Sequence, residues 1–166
     1  MDGRLRNMTA AYISRRGERG MEMLLLYRVG SRVVAPSWCG VGGHFEMDEL
    51  NDARACVLQE IREETGLEES GLSGMRMRYA CMRLKKGEVR QNYYFFAELA
   101  PDAKPPQQSS EGRLEWVSYD RLPALEMPFT AREVILHYLH TGRYTDELYA
   151  CATTEQGAVF TPLREF

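Results

Sequence analysis

The chain has no apolar run long enough to cross a bilayer, no excess of basic charge, no internal repeat, and no cysteines at C-x-x-C spacing. A spanning helix needs about 20 consecutive apolar residues. The amino-terminal stretch MDGRLRNMTAAYISRRG also lacks the apolar core of a signal peptide. A soluble, cytoplasmic protein without a membrane partner is therefore expected. The 21 basic and 24 acidic residues give a formal charge of −3, which argues against a broad electrostatic surface for duplex nucleic acid and leaves a small nucleotide as a partner. Cys39, Cys56, Cys81 and Cys151 are scattered, which argues against a disulfide framework and fits a reducing compartment. At 166 residues the chain reads as a single domain, 1–166, large enough to bury a core unaided. The oligomeric state is left open, a homodimer among the options.

Alternating and β-rich segments supply most of the remaining chain. NMTAAYI and MEMLLLYR, separated by SRRGERG, read as two strands joined by a turn, and a short strand is expected around Arg32 to Ala35. MRMRYACMRL and RQNYYFFAEL, split by KKGE, read as a hairpin. PDAKPPQQSS, residues 101–110, reads as an exposed loop, followed by a strand and turn in RLEWVSYDRLP. Thr130 to Glu133 has the spacing of a capping box for a helix ending near Gly142, with Val134, Ile135, Tyr138 and Leu139 facing the core. ELYACATTEQGAVFTPL closes the chain as two strands around a Gln-Gly turn. The expected sheet is mixed and substantial.

What stands out is negative charge on one helix face. In GGHFEMDELNDARACVLQEIREETGL, residues 42–67, a helix from about Asp52 to Thr65, capped by Asn51 or Asp52, places Glu60, Glu63 and Glu64 within about a 100° arc. Like charges at i,i+3 and i,i+4 destabilise an isolated helix. A hard cation reverses that sign, and Mg²⁺ typically takes one or two carboxylates plus the oxygens of a bound phosphate. A phosphorylated substrate follows. The bland alternative, a solvated acidic face, does not account for Gly42-Gly43 at one end, Gly66 in the place of a left-handed cap, and an apolar stripe of Ala53, Val57 and Ile61. DELND is no EF-hand loop, because Leu50 occupies its third position and the turn glycine is missing.

These residues resemble the box of the Nudix hydrolases: glycine, five residues, glutamate, seven residues, Arg-Glu, apolar, any, Glu-Glu, any, glycine, apolar. Gly43, Glu60, Ile61, Glu63, Glu64, Gly66 and Leu67 fall on box positions, and Glu49 lies where the pattern wants its first glutamate. Two departures stand out. Nine residues rather than seven separate Glu49 from Gln59, so the loop carries a two-residue insertion, or Asn51 takes the glutamate's place. Gln59 also replaces the box arginine, offering a hydrogen bond but no charge.

The resemblance implies an α/β (α+β) fold, a mixed β-sheet sandwiched between helices. It implies hydrolysis of a nucleoside diphosphate linked to another group, with Mg²⁺ or alternatively Mn²⁺ as cofactor. It also implies Glu60 and Glu64 as direct metal ligands, Glu63 as ligand or water-positioning group, and the Gly43 carbonyl completing the shell. For a general base on a distant loop the candidate is Glu111. SWCGVGG is similar to the approach to the box in MutT-like enzymes acting on oxidised purine nucleoside triphosphates, which implies a nucleoside monophosphate and pyrophosphate as products. Cys39 stands where that branch has a base-contacting asparagine, and Phe129-Thr130 where it has an acidic pair. An ADP-sugar or dinucleoside polyphosphate pyrophosphatase and a non-catalytic nucleotide-binding module are the alternatives.

Further candidates rest on residue chemistry. Arg28 and Arg90 are candidate phosphate contacts, since a guanidinium meets phosphate oxygens two at a time. Trp38 and Trp116 are candidates to stack on a base, although large aromatics are more often core. Asn92 is a candidate for base hydrogen bonding. His137 and His140 read as solvated helix histidines rather than a metal pair, and His44 as loop chemistry or a phosphate neighbour.

Overall fold

The computed structural model describes residues 4–30, 35–107, 109–154 and 156–164. Eight strands form one mixed sheet: β1 (Arg4–Gly17), β2 (Gly20–Arg28), β3 (Ser37–Cys39), β4 (Leu72–Lys85), β5 (Glu88–Leu99), β6 (Arg113–Ser118), β7 (Leu148–Thr154) and β8 (Gly157–Leu163). Their order is β3-β2-β1-β5-β4-β7-β8, with β6 on the other edge of β2. The β1–β5 and β4–β7 pairs are parallel and the rest antiparallel. Two α-helices are present among the described residues, α1 (Ala53–Thr65) and α2 (Phe129–His140).

Side-chain alternation on the central strands feeds two cores, one per face. Ala11, Ile13, Leu24 and Leu26 join Val57 and Ile61 of α1. Tyr12, Met23 and Leu25 join Val134 and Ile135 of α2. The sheet therefore lies between the two helices, as the resemblance implied. No described helix is long and apolar enough to cross a membrane, and all four cysteines are free thiols.

The expected hairpins form, with shorter turns than the polar segments suggested. Cross-strand pairing of β1 with β2 continues to Gly17 and Gly20, so most of SRRGERG belongs to the strands. Lys86 and Gly87, both at positive φ, close the β4–β5 hairpin in the geometry that suits the strands' twist. The strand expected around Arg32 to Ala35 lies largely outside the described residues, and Ala35 itself is not in a strand.

The capping box at Thr130 does not form. Helix α2 begins one residue earlier, with Pro128 at the cap position and no side-chain cap bond, so Thr130 is an interior helical residue whose hydroxyl lies 3.3 Å from that of Thr153. His137 is likewise not a solvated histidine. Its Nδ1 lies 2.9 Å from the Tyr79 hydroxyl and its ring stacks on Phe160, and burial lowers its pKa. His140 remains exposed.

Candidate active site

Helix α1 starts where expected. Asp52 accepts the Ala55 N–H at 2.9 Å, and Gly66, left-handed at φ 70°, ends the helix with its N–H on the Arg62 carbonyl. The apolar stripe seats α1 across β1, which fixes the carboxylate face against the Gly42-Gly43 segment. The two-residue insertion is taken up by a turn of 3₁₀ helix at Met47–Glu49 and the bend before Asp52. Glu49 is held there by the Glu46 N–H at 2.8 Å. Its charge reaches Glu60, while Asn51 is an exposed turn residue. Glu49 is thus turned toward the carboxylate face and Asn51 toward solvent.

Glycine is required at position 42, and at position 43 it leaves space for a carboxylate. A side chain at Gly42, whose φ is 157°, would collide with the Thr9 carbonyl, and one at Gly43 would collide with the Glu60 carboxylate. Glu64 turns inward: one carboxylate oxygen accepts the Gly42 N–H at 2.9 Å and the other accepts from the Arg28 guanidinium at 2.9 Å. Its side chain is only 3% exposed. The same Arg28 nitrogen donates to the Gly42 carbonyl at 3.1 Å and lies 3.0 Å from the Glu111 carboxylate.

Glu111 arrives because the proline-rich loop is laid against the end of α1. There the Gln107 N–H donates to the Thr65 carbonyl at 2.7 Å. Chain separations of 36 between Arg28 and Glu64 and 83 between Arg28 and Glu111 collapse onto one guanidinium because β2 and β6 are neighbours.

Burial raises the Glu64 carboxyl to about 7, against the opposing pull of Arg28 and the Gly42 N–H. Burial also raises Glu60, helped by the charges of Glu63 and Glu111. Both effects mark carboxylates whose burial disfavours the charged form. Glu63 points elsewhere: it accepts from Gln59 at 3.0 Å on the exposed side of α1.

Among the described residues no three His, Cys, Asp or Glu groups come close enough together to hold a metal ion. The inner pair, Glu60 and Glu64, still fits a magnesium site, since that ion needs only one or two protein carboxylates once phosphate oxygens and water complete its octahedron. An all-oxygen donor set selects a hard cation. The Gly43 carbonyl, expected to complete the shell, instead accepts the Thr9 N–H at 2.9 Å and is directed at β1.

The other candidates divide. Trp38 of β3 packs against the core on the α2 side of the sheet, the face away from the carboxylates, with its ring against Tyr27 and under the Arg113 guanidinium. Trp116 lies farther along β6, opposite Leu24, and its ring is covered by Arg15 at 4.1 Å. Arg90 pairs with Glu88 of its own strand at 3.0 Å, and Asn92 is placed opposite Met8 of β1. Neither Arg90 nor Trp116 is brought to the carboxylates. Cys39 donates to the Leu26 carbonyl at 3.5 Å, and burial pushes its thiol up to about 11, so it is a packing residue rather than a nucleophile. His44 is exposed, and its carbonyl lies 4.0 Å from the Cys56 sulfur.

Comparison with known proteins agrees with this fold. The NUDIX domain family matches residues 5–138. The chain belongs to the Nudix hydrolase family. Among solved structures it is similar to the mutator MutT protein from Bacillus halodurans, at 21% identity and a TM-score of 0.65 over 96% of this chain and 95% of that one. It is also similar to a C. elegans Ap4A hydrolase, at 17% identity and a TM-score of 0.64 over 84% and 98%. The NUDIX domain of Shewanella oneidensis NrtR, complexed with ADP ribose, aligns at 15% identity and a TM-score of 0.61 over 87% and 91%. No curated protein sequence matches the chain.

Proposed function

We propose that this protein is a Mg²⁺-dependent nucleotide hydrolase that cleaves a nucleoside triphosphate to the monophosphate and pyrophosphate. The observation that carries the reading is the packing of two carboxylates, Glu60 and Glu64, against the glycine pair: the Glu60 carboxylate fills the space a side chain at Gly43 would take, and Glu64 accepts the Gly42 N–H. The ion, once bound, would neutralise charge developing on the phosphates. Glu64 and Glu60 would hold it. Glu111, 53% exposed and paired with Arg28, would accept a proton from water attacking phosphorus. A P–O bond to the pyrophosphate leaving group then breaks as the new P–O bond to water forms. Arg28 would meet the phosphates from the floor of the site.

The MutT-like lean rests on the SWCGVGG approach and on the fold likeness. Preference for an oxidised base is expected to be modest. Cys39 is occupied by the β2–β3 ladder, Phe129 lies under Arg83, and Thr130 faces Thr153, so none of the three offers the polar contact that branch uses.

The test is Mg²⁺-dependent turnover on a panel of nucleoside triphosphates, ADP-sugars and dinucleoside polyphosphates, with product identification. Monophosphate plus pyrophosphate from a triphosphate supports the proposal. Orthophosphate as the main product, or turnover confined to the other two classes, refutes it. Discrimination between oxidised and normal purine near the ~10⁴-fold seen where a site hydrogen-bonds the distinguishing group would overturn the reading of the base pocket.

A further inference from the structure

The sheet face on the α1 side is covered only over its central strands. The apolar core beneath α1 contains no residue of β7 or β8. On β4, Tyr79 and Cys81 enter the opposite core, so Met82 and Leu84 point to the α1 side, 54% and 63% exposed. By register Met82 meets Ala152 of β7, which meets Val159 of β8, 66% exposed. Leu84 meets Val89 of β5, which meets Leu5 of β1, 57% exposed. Leu163 of β8, 45% exposed, extends the same face.

The charge distribution is one-sided. Arg6, Glu88 and Arg90 bridge one another on the far side of β1 and β5, and Arg83 of β4 reaches the Phe129 ring at the start of α2. Strands β7 and β8, of 7 residues each, hold no charged residue in a chain that is 27% charged. An outer strand exposed to water is ordinarily protected by charge. Here Pro162 is the protection β8 carries, and it guards the strand edge rather than the face.

We propose that this uncharged face is where a second copy of the chain packs, sheet against sheet, in a two-fold homodimer. The five named apolar side chains expose on the order of 500 Å² together, toward the upper end of the ~300–600 Å² largest patch on an ordinary monomer. With the alanines, threonines and glutamine between them the face approaches the ~800 Å² per partner of a standard interface. A two-fold axis sets a patch against itself, so a strong charge near the axis would meet its own sign. A neutral apolar face packs on its own copy with no charge left unpaired, whereas a charged partner would call for complementary charge on it.

The experiment is sedimentation velocity of the whole chain from low to high micromolar concentration. Met82→Glu and Val159→Glu disrupt the face, and Tyr144→Glu, at a site 68% exposed elsewhere, serves as control. Wild type and the control should sediment at twice the 19.1 kDa protomer mass. The two face variants should sediment at the protomer mass with unchanged circular dichroism. Oxidative footprinting of wild type reads the same face without a substitution, and Met82 should become protected as concentration rises. A wild type that stays monomeric at high micromolar concentration, face variants that stay dimeric, or Met82 oxidation indifferent to concentration overturns the proposal. None of these readouts depends on turnover.

Discussion

Replacing Glu64 by glutamine preserves the side chain's shape and one carbonyl acceptor while deleting its charge, and the consequences for stability and activity have opposite signs. In metal-free protein the Glu64 carboxyl titrates at about 7 rather than 4.5, because burial outweighs the help of Arg28 and the Gly42 N–H. A pKa higher in the folded than in the unfolded chain means that the native state holds the proton more tightly. The group's contribution is therefore full below pH 4.5 and is lost as pH rises through 7. The whole difference is on the order of 3 kcal/mol. Glutamine does not ionise and escapes this loss. In a chelating buffer at mildly alkaline pH, Glu64→Gln should melt higher than wild type by several degrees, up to roughly 10 °C for a chain of this size. The two melting curves should converge in acid.

Adding Mg²⁺ should raise the wild-type melting temperature, since the ion binds only the folded site, and leave the variant unmoved. Turnover should fall about a thousand-fold, the equivalent of several kcal/mol of lost charge stabilisation. A variant that melts at or below wild type across the whole pH range would show that burial does not disfavour the charge on Glu64. A folded variant with near-normal turnover would remove it from the metal site.

Gln59→Arg should raise kcat/KM or tighten Mg²⁺ binding by only a few-fold, because Gln59 holds Glu63 on the exposed side of α1 and exposed charge pairs contribute little, about 0–1 kcal/mol. A metal titration of both proteins decides it, and unchanged values at unchanged stability would mean the site's geometry is settled without position 59. Gly43→Ala should fold and yet lose at least ten-fold in kcat, since the added methyl displaces the Glu60 carboxylate and a small misplacement in a catalytic constellation costs that much or more. Unimpaired turnover in that variant would place Glu60 outside the chemistry.

The parts of this molecule that were legible in sequence are those whose cause is local. Alternation in MEMLLLYR sorts Met23 and Leu25 from Leu24 and Leu26 whatever else the chain does. The Asp52 cap and the Gly66 stop need only their own helix. Local signals also misled where a neighbour competed for the same group. Thr130 has the spacing of a capping box, but it is drawn to Thr153 across the α2 to β7 contact, and the helix starts before it. The polar SRRG looked like a turn, but pairing to β2 extends the strand through it.

Arg28 shows the other limit. As a lone arginine closing an apolar strand it could be suspected of meeting anions, but nothing local says which. Only the adjacency of β2, β6 and the end of α1 sets it between Glu64 and Glu111 while it also holds the Gly42 carbonyl. The positive charge that the Nudix box expects next to Glu60, and that Gln59 lacks, thus enters the site from the sheet rather than from the helix. A charge fixed to a strand floor is held by three oxygen partners at once, so it can steady Glu64 without occupying the helix face where the proposed metal ion and phosphates would fit. The departure at position 59 is therefore compatible with an intact ligand pair, and it explains why the carboxylate spacing was the readable part of the site while its countercharge was not.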